Sequence, residues 1–426
     1  MPHTQSPHDQ GKPSLSWSLP RWLDYLLAIH TKSIDMGLAR TQQVFERLSI
    51  DFATSTVITV AGTNGKGTTC RFIEKSLLSL GHSVGVYSSP HITDYNERVR
   101  INDKMLSDEQ HLEAFMAIEQ ARGDIPLTYF EFATLSAMLL ISQHKSDYVL
   151  MEVGLGGRLD AVNILTPDMA VITSIGLDHQ DWLGNTRELI AIEKAGIMRP
   201  DIPVVIGELD VPASLTQEVA RFHAKASWQG QNFCFIDEGH CWKWISNQQS
   251  FTDLPMPQIP MQNVSTGLEV LLRLGLELTE PLVKQVIEQT SLPGRFEVLQ
   301  QRPYVIADVA HNPQATQYLF ERIQAMDYNK LHFVVAMLAD KDIAASLTPL
   351  LELDASWYLA SLEVERGAQA KKLKSHFHGH KKVIDFNDVA DALKSALSEA
   401  SEQDLIIVFG SFFTVSHAKK VLNLQD

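Results

Sequence analysis

Short runs of consecutive apolar residues recur along the chain and alternate with segments whose apolar positions have helical spacing. Runs of this kind, rich in β-branched residues and without polar alternation, are typical of strands buried on both faces of a parallel sheet. The pattern therefore predicts an α/β fold. In the N-terminal part the predicted strands are Val57–Gly62, Val84–Ser89, Tyr148–Val153, Ala170–Ile175 and Pro203–Gly207, with a helix at about Gly67–Leu80.

The alternation is interrupted between about 222 and 260, where short pieces rich in Trp, Gln and Pro predict a β-rich excursion. It restarts after Ser291–Pro303 with five further apolar runs. A chain of 426 residues is also too long for one ordinary hydrophobic core. We therefore predict two α/β domains: a larger N-terminal parallel-sheet domain over 1–297, with a disordered lead over 1–15, and a smaller Rossmann-like domain over 298–426.

Composition and charge restrict the class of protein. The chain is 45% hydrophobic and 20% charged, as in globular proteins, and its formal net charge is −15. That charge argues against non-specific nucleic-acid binding and requires a local cationic site for any anionic substrate. The sequence has no apolar run of membrane-spanning length and no signal-peptide pattern, and its three cysteines form no metal-spaced pair. We therefore expect a reduced, cytoplasmic setting without membrane or nucleic-acid partners.

A glycine-rich turn, Ala61–Thr69 (AGTNGKGTT), follows the first predicted strand. The common phosphate loop has the spacing G-x-x-x-x-G-K-[ST]. Here Gly62 lies three residues before Gly65, and Gly67 stands where Ser or Thr would follow Lys66. The turn is therefore either a variant phosphate loop or a plain glycine turn between a strand and a helix.

A lysine between two glycines directly after a strand favours the phosphate loop. Backbone N–H groups and the helix dipole at such a turn attract phosphate. In that interpretation Lys66 contacts the terminal phosphates, and Thr68 or Thr69 reaches a metal ion.

Polar residues also follow other predicted elements. Glu152 lies at the carboxyl end of a strand, where open α/β sheets bind ligands, and is either a Mg²⁺ ligand or a solvated carboxylate. Arg158 is a candidate for holding a phosphate or a carboxylate. His179, with an acid on each side, is a candidate ligand or base, although a single histidine is more often structural. From the residues alone, Lys194 is interpreted as a surface lysine paired with Glu193.

The second predicted domain carries a similar set after its first strand. Asp308 is placed for a ribose hydroxyl, and His311 with Asn312 for a base or a phosphate. Arg295, between the two predicted domains, is a candidate phosphate clamp.

The order and spacing of these motifs together are more specific than any one of them. The stretches GTNGKGTTC, SSPH, MEVGLGGRLDA, LDHQDWLG, EKAGI, LPGRF and DVAHNP closely resemble those of the folylpolyglutamate synthases, which are ATP-dependent Mur-type amide ligases. The match runs from about Trp22 to Val415. Within this family, the chain resembles the bacterial bifunctional form, the dihydrofolate synthases/folylpolyglutamate synthases. The resemblance implies that GTNGKG is the variant phosphate loop of this family.

The resemblance implies an ATPase-type N-terminal domain that binds ATP and a pterin, and a C-terminal glutamate-ligase domain. ATP would phosphorylate the carboxylate of dihydropteroate or of a reduced folate, and the amine of L-glutamate would displace phosphate from the acyl phosphate. The implied cofactors are ATP and two Mg²⁺ ions, with K⁺ as a further candidate, and we expect a monomer.

The family's site positions fall on matching residues of this sequence, although the segment around Asn263 departs from the family's alanine-rich pattern. The implied ATP-binding residues are Thr63, Asn64, Gly65, Lys66, Gly67, Thr68, Asn263, Arg295 and Asp308. The implied pterin-binding residues are Ala28, Ile29, His30, Thr31, Thr128, Tyr129, Phe130, Glu131, Leu159, Asp160 and Ala161. The implied metal ligands are Ser89, Glu152, His179 and Lys194, the last as a carbamate. The implied catalytic residues are Lys66, His179, Lys194 and His311.

Two other functions compete with this one. Another Mur-type ligase, acting on a cell-wall nucleotide precursor, needs a uridine-nucleotide domain, for which the 56 residues before the first predicted strand are too few. A nucleotide-binding switch would hydrolyse ATP slowly, without need of glutamate or pterin.

Overall fold

The computed structural model describes residues 12–32, 34–377 and 382–424. The described helices are α1 (Leu19–Ala28), α2 (Ala39–Phe45), α3 (Lys66–Ser79), α4 (Asp108–Arg122), α5 (Tyr129–His144), α6 (Gln180–Leu183), α7 (Arg187–Ala195), α8 (Ala213–Arg221), α9 (Met261–Arg273), α10 (Glu280–Gln289), α11 (Pro313–Gln324), α12 (Ile343–Leu347), α13 (Ala370–Lys374), α14 (Val389–Glu399) and α15 (Phe412–Val421). Short 3₁₀ helices cover Tyr95–Arg98, Ala161–Ile164 and Leu350–Glu352.

The described strands are β1 (Thr56–Ala61), β2 (Val84–Tyr87), β3 (Val99–Ile101), β4 (Lys104–Met105), β5 (Tyr148–Glu152), β6 (Met169–Ile172), β7 (Pro203–Ile206), β8 (Lys225–Trp228), β9 (Phe233–Asp237), β10 (Trp242–Ser246), β11 (Ser250–Leu254), β12 (Glu297–Gln301), β13 (Tyr304–Asp308), β14 (Leu331–Val335), β15 (Ala355–Ala360), β16 (Val383–Phe386) and β17 (Leu405–Phe409). The five strands predicted in the N-terminal part correspond to β1, β2, β5, β6 and β7. The predicted β-rich excursion corresponds to β8–β11.

The first compact unit comprises the residues up to Pro90, Asn96–Ile175 and Glu188–Thr290. Its eight-stranded sheet has the order β4-β3-β2-β5-β1-β6-β7-β8, and β1 is parallel to both β5 and β6. Strands β9–β11 form a separate three-stranded antiparallel sheet. The carboxyl ends of β1, β5 and β6 therefore lie side by side, which is where an open α/β sheet binds ligands.

The core of the first unit joins this sheet to α3 and α9. Val60 of β1, Phe72 of α3 and Leu268 of α9 are all completely buried in one hydrophobic cluster. Gly267 permits the close approach of the two helices, because a Cβ there would lie 2.5 Å from a ring carbon of Phe72. This packing brings the first turn of α9 to the loop between β1 and α3.

The second compact unit comprises His91–Tyr95, Gly176–Arg187 and the residues from Ser291 onward. Its six-stranded sheet has the order β12-β13-β17-β14-β15-β16, with β12 antiparallel and the other neighbours parallel. Its largest side chains stack inside the sheet–helix layers, with the rings of Phe333 and Trp357 4.3 Å apart. Two short segments that precede the predicted boundary after residue 297 thus belong to this unit.

The predicted class, two α/β units with a mainly parallel sheet in each, is confirmed. The predicted disordered lead over 1–15 lies outside the described residues for 1–11. The carbonyl of Ser14 accepts a hydrogen bond from the indole N–H of Trp22 at 3.0 Å. Within the described part of the chain, no helix is both long enough and apolar enough to cross a membrane.

Candidate active site

The glycine-rich turn is built into the end of β1 and the start of α3. Gly65, the N-cap of α3, has φ 86°, in the left-handed region that favours glycine. A Cβ at Gly62 would lie 1.8 Å from the hydroxyl oxygen of Thr173. The turn is held by the segment after β6, because the N–H groups of Thr63 and Asn64 donate to the carbonyl and the hydroxyl of Ser174 at 2.8 and 3.0 Å. Both glycines are thus required by close packing of the loop.

Lys66 lies at the first position of α3, where loop amides and the helix dipole favour an anion. Its ammonium donates to the carbonyl oxygen of Gly62 at 2.9 Å and of Thr63 at 3.4 Å. The side chain therefore folds over the loop rather than extending away from it. This geometry matches a phosphate cradle better than a plain connecting turn.

Asn263, in the first turn of α9, contacts the same loop although it is almost 200 residues away in the sequence. Its amide donates to the hydroxyl of Thr68 at 2.7 Å, over a sequence separation of 195. A Cβ at Gly65 would meet its carbonyl oxygen at 2.5 Å. The structure therefore places this predicted ATP-site residue beside the phosphate loop.

Ser89 and Glu152 come together at the carboxyl ends of β2 and β5. The backbone N–H of Ser89 donates to Oε2 of Glu152 at 3.2 Å, and Glu152 is only 5% exposed. Within the described residues, no three carboxylate, imidazole or thiol side chains converge closely enough to hold a metal ion. A hard cation that takes one carboxylate, a hydroxyl and phosphate oxygens fits this donor set.

Lys194 is buried in α7, with 3% of its surface exposed, so the interpretation of a surface lysine is wrong. The carboxylate of Glu193 instead accepts a hydrogen bond from Arg158 at 2.7 Å. The guanidinium of Arg158, a candidate for holding a phosphate or a carboxylate, is thus paired with a carboxylate of the protein itself. Gly157 lets this helix approach, because a Cβ there would lie 2.7 Å from the Glu193 carbonyl oxygen. Helical spacing could not show this burial, since the covering loop comes from another part of the chain.

Two of the predicted pterin residues, Asp160 and Phe130, lie at the loop after β5. Asp160 accepts hydrogen bonds from the N–H groups of Gly154, Leu155 and Val162 at 3.1, 2.8 and 2.9 Å. Burial raises the pKa of this carboxyl to about 6, against the lowering effect of those bonds. Phe130 covers the loop, because a Cβ at Gly154 would lie 2.4 Å from its ring. Phe130 and the loop after β5 thus form one wall of the predicted pterin site.

Two further predicted pterin residues are hydrogen-bonded to each other. Thr128 and Glu131 form a capping box at the start of α5, in which the Thr128 hydroxyl accepts from the Glu131 N–H at 3.2 Å. The remaining predicted pterin residues lie at the first position of α5, at the end of α1 and just after it, and in the 159–161 turn: Ala28, Ile29, His30, Thr31, Tyr129, Leu159 and Ala161. Their direct contact with a pterin stays a prediction.

In the second unit, Asp178 lies at the centre of a charged cluster. Its carboxylate oxygens lie 2.6 Å from the ammonium of Lys341 and 3.4 Å from Nε2 of His311. The His179 ring lies 3.5 Å from Lys341, and the Asn312 amide donates to Asp178 at 3.4 Å. The structure thus brings together His179, His311 and Asn312, which follow different elements.

The electrostatics of this cluster are dominated by its cations. Burial alone would raise the pKa of Asp178, but the hydrogen bond from His311 and the charges of Lys341 and the histidines hold that pKa far below its ordinary value. Nδ1 of His311 faces the carbonyl oxygen of Val309 at 2.8 Å while its Nε2 faces Asp178. Both neighbours are acceptors, so both contacts are satisfied when both ring nitrogens carry hydrogen.

Asp308 and Arg295 lie at the carboxyl end of β13 and on the turn before β12. The carboxylate of Asp308 accepts from the N–H groups of Phe296 and Ala310, each at 2.8 Å, and burial raises its pKa. The guanidinium of Arg295 lies 5.1 Å from the ring centroid of Phe412. The contact of Asp308 and Arg295 with ATP stays a prediction.

Sequence reasoning missed Lys341, whose side chain is 6% exposed. A usable signal was present, since Lys341 follows β14 as Asp308 ends β13, and both strands are parallel to β17. Polar residues just after parallel strands meet at one edge of a sheet.

Two parts of the chain match known domains. Residues 60–229 match the Mur ligase middle domain, and residues 294–412 match the Mur ligase glutamate ligase domain. The first match contains Lys66, Glu152 and Lys194, and the second contains Arg295 and His311. The fold and these matches define the class as proteins built from Mur ligase domains.

The whole chain is also similar to individual proteins. It is 44% identical over 414 residues to a dihydrofolate synthase/folylpolyglutamate synthase of Escherichia coli (strain K12), covering 97% of each chain. The chain therefore belongs to the dihydrofolate synthase/folylpolyglutamate synthase family, and the resemblance inferred from the motifs is confirmed.

Solved structures of relatives share the fold along nearly the whole chain. E. coli FolC in complex with DHPP and ADP has a TM-score of 0.93 and 43% identity, over 97% of this chain and 99% of that one. A bifunctional folylpolyglutamate synthase/dihydrofolate synthase with Mn, AMPPNP and L-glutamate bound has a TM-score of 0.91 and 46% identity, over 97% of this chain and 100% of that one.

Proposed function

We propose that the chain is an ATP-dependent ligase that joins the amine of L-glutamate to the carboxylate of dihydropteroate or to the γ-carboxylate of a reduced folate. The products are dihydrofolate or a folylpolyglutamate, with ADP and phosphate. The observation that carries this proposal is the 44% identity over 97% of the chain to a relative with both activities in its name. A carboxylate oxygen is a poor leaving group, so the carboxylate is first phosphorylated by ATP to an acyl phosphate.

The phosphate loop supplies the site for ATP. Thr63, Asn64, Gly65, Gly67 and Thr68 surround the N-terminus of α3, where the helix dipole and the backbone amides of the first turn attract phosphate oxygens. Lys66 would exchange its carbonyl partners for the terminal phosphates and neutralise charge that develops on the transferring phosphoryl group. We propose Asn263, Arg295 and Asp308 as further ATP contacts. Asn263 is supported by its hydrogen bond to Thr68 of the loop.

Ser89 and Glu152 are the residues we propose for a divalent cation, because they are adjacent and one is a buried carboxylate. When bound, such a cation supplies charge neutralisation on phosphate oxygens. We further propose that the physiological ion is Mg²⁺, that two ions are bound, that His179 and carbamylated Lys194 are further metal ligands, and that K⁺ is an additional cofactor. The burial of Lys194 supports a role other than that of a surface lysine.

Phe130 and the loop held by Asp160 are proposed to receive the flat pterin, which an aromatic ring can cover. In the second unit, we propose that His311 holds a proton near the amine of glutamate. Because Asp178 faces its Nε2, His311 must break that contact before this nitrogen can face the amine. We also propose a cytoplasmic monomer without nucleic-acid or membrane partners, in line with the net charge of −15.

The test is a coupled measurement of ADP formation with ATP, Mg²⁺, L-glutamate and either dihydropteroate or a reduced folate, with products identified by mass spectrometry. We expect ADP formation that depends on both glutamate and an acceptor. Equal ATP hydrolysis without them would support a nucleotide-binding switch and overturn the ligase proposal. Turnover with only one of the two acceptor classes would overturn the bifunctional part.

A further inference from the structure

The acceptor side of the site contains a buried carboxylate whose hydrogen-bonding capacity is filled by the protein. Glu131 is 4% exposed. Both of its oxygens accept from Nε of Arg40 at 2.8 Å, and Oε1 also accepts from the hydroxyl of Thr41 at 2.9 Å. Oε2 also accepts from the N–H and the hydroxyl of Thr128, each at 2.8 Å. A carboxylate offers about four acceptor positions, so Glu131 has little capacity left for a ligand.

Arg40 connects this carboxylate to a second segment of the chain. While its Nε faces Glu131, its two terminal nitrogens donate to the carboxylate and to the backbone carbonyl of Asp35. Asp35 in turn lies 3.6 Å from Nε2 of His30. One guanidinium therefore joins the first turn of α5 to the segment after α1. Both carry residues proposed for the acceptor.

The first turn of α5 fixes the position of Phe130. Its capping box and its ion pair both use Glu131, the residue directly after Phe130. The Phe130 ring in turn lies against Gly154, where even a Cβ would collide with it. A shift of this turn therefore moves the wall of the acceptor site.

We propose that Arg40 is a positioning residue for the acceptor: its guanidinium fixes Glu131 and thereby holds Phe130 in the plane that receives the pterin. This inference rests on the proposed function and deepens it at the acceptor site. A planar fork fixes two directions at once, whereas the ammonium of lysine is a point charge without that geometry. The role is distinct from ATP binding, because the partners of Arg40, Glu131 and Asp35, both lie outside the phosphate loop.

The test compares Arg40→Gln and Arg40→Lys with the wild-type protein in steady-state ligation. We expect Arg40→Gln to raise KM for dihydropteroate about tenfold, since small misplacements of a bound reactant are costly. KM for ATP should stay within about twofold, because the phosphate loop is unchanged. Arg40→Lys should lie between the two, because it keeps the charge and loses the fork.

Arg122→Gln is the matched control. Arg122 is also paired with a carboxylate, since its Nε and one terminal nitrogen donate to the two oxygens of Glu119 at 2.6 Å each, and it also contacts Tyr25. The pair lies within α4, its contact with Tyr25 joins α4 to α1, and none of these three residues is a predicted acceptor residue. We expect Arg122→Gln to lower the melting temperature and to leave KM for dihydropteroate unchanged.

Three outcomes would overturn the proposal. They are an unchanged acceptor KM in folded Arg40→Gln, equal rises in the KM values for ATP and acceptor, or the same acceptor effect in Arg122→Gln. If Arg40→Gln does not fold, Arg40→Lys decides by the same ratio of KM values. A wild-type protein without acceptor-dependent ADP formation contradicts the proposed function instead. Amide exchange at the first turn of α5, faster in Arg40→Gln, then tests the structural part alone.

Discussion

The phosphate loop of the first unit and the Asp178 cluster of the second unit are built in opposite ways. The loop is contiguous, from Ala61 to Thr69, and the groups that we predict to bind phosphate are mostly backbone amides. The cluster joins Asp178 to Lys341 across 163 residues, and its contacts are made by side chains. A contiguous backbone site can be recognised from spacing, whereas a side-chain cluster of this kind becomes visible only when strand order is known.

The two sites also differ in what holds them. The loop depends on close packing, since Gly62 and Gly65 leave no room for a Cβ against Thr173 and Asn263. The cluster depends on compensation of charge, since the side chains of Asp178 and Lys341 are only 9% and 6% exposed. A buried ion pair is vulnerable to the loss of one partner, which leaves the other charge uncompensated.

The largest effect is expected at the only loop side chain that carries a charge. Lys66→Ala should reduce ligation by about three orders of magnitude, because charge on the transferring phosphoryl group loses its cation. ADP formation and circular dichroism should be measured together. Lys75→Ala, on the same helix, removes an ammonium bonded to Asp103 at 2.6 Å and should leave turnover nearly unchanged. Substantial turnover in folded Lys66→Ala would show that the backbone alone is sufficient.

Lys194 tests whether a buried lysine outside the loop serves chemistry rather than structure. If it is a carbamate ligand, Lys194→Ala should lower ligation by about two orders of magnitude while ATP still binds. Small carboxylic acids should restore part of the activity by replacing the lost carboxylate. Electron density beyond Nζ in a crystal would give the modification directly. Near-normal activity of the variant would remove Lys194 from the metal site.

The Asp178 cluster should respond in stability. Asp178→Asn leaves the Lys341 ammonium buried without its carboxylate and should lower the free energy of unfolding by about 3 kcal/mol. Because the pKa of Asp178 is lowered on folding, its stabilisation is complete above the unfolded pKa of about 4 and is lost as the pH falls below it. Chemical denaturation at pH 7 measures the effect. Asp340→Asn, which removes an exposed partner of Arg366, should cost about 0–1 kcal/mol. Equal losses would contradict the contrast between buried and exposed pairs.

An effect confined to a change of pH is expected at Asp160, whose pKa is raised to about 6 by burial. The folded protein then holds this proton more tightly than the unfolded chain, so the carboxyl loses stabilisation as the pH rises from about 4 to about 6. Relative to wild type, Asp160→Asn should therefore gain up to about 3 kcal/mol across that window, because one pKa unit corresponds to about 1.4 kcal/mol. Parallel unfolding curves between pH 4 and 8 measure this difference. A constant difference would contradict the raised pKa.

The strands, the phosphate loop and the family can be predicted from local patterns, because each pattern is formed by residues that are consecutive in the sequence. It does not predict the burial of Lys194, since helical spacing gives no information on the loop that covers α7. It does not predict Lys341 beside Asp178, because that requires the order of β13, β17 and β14. Nor does it distinguish a residue that contacts a ligand from one such as Glu131, whose oxygens are occupied by neighbouring donors.

The two short segments that the second unit takes from the first part of the chain limit how the protein can be divided. Ile92 is buried in a small apolar cluster with Val309 and Val415, and Asp178 faces Lys341. A fragment that begins at Ser291 would lack both residues, so it would expose the apolar cluster and leave a buried lysine uncompensated. Independent production of the C-terminal part therefore requires that residues 91–95 and 176–187 be supplied as well, by circular permutation or by coexpression of the remainder.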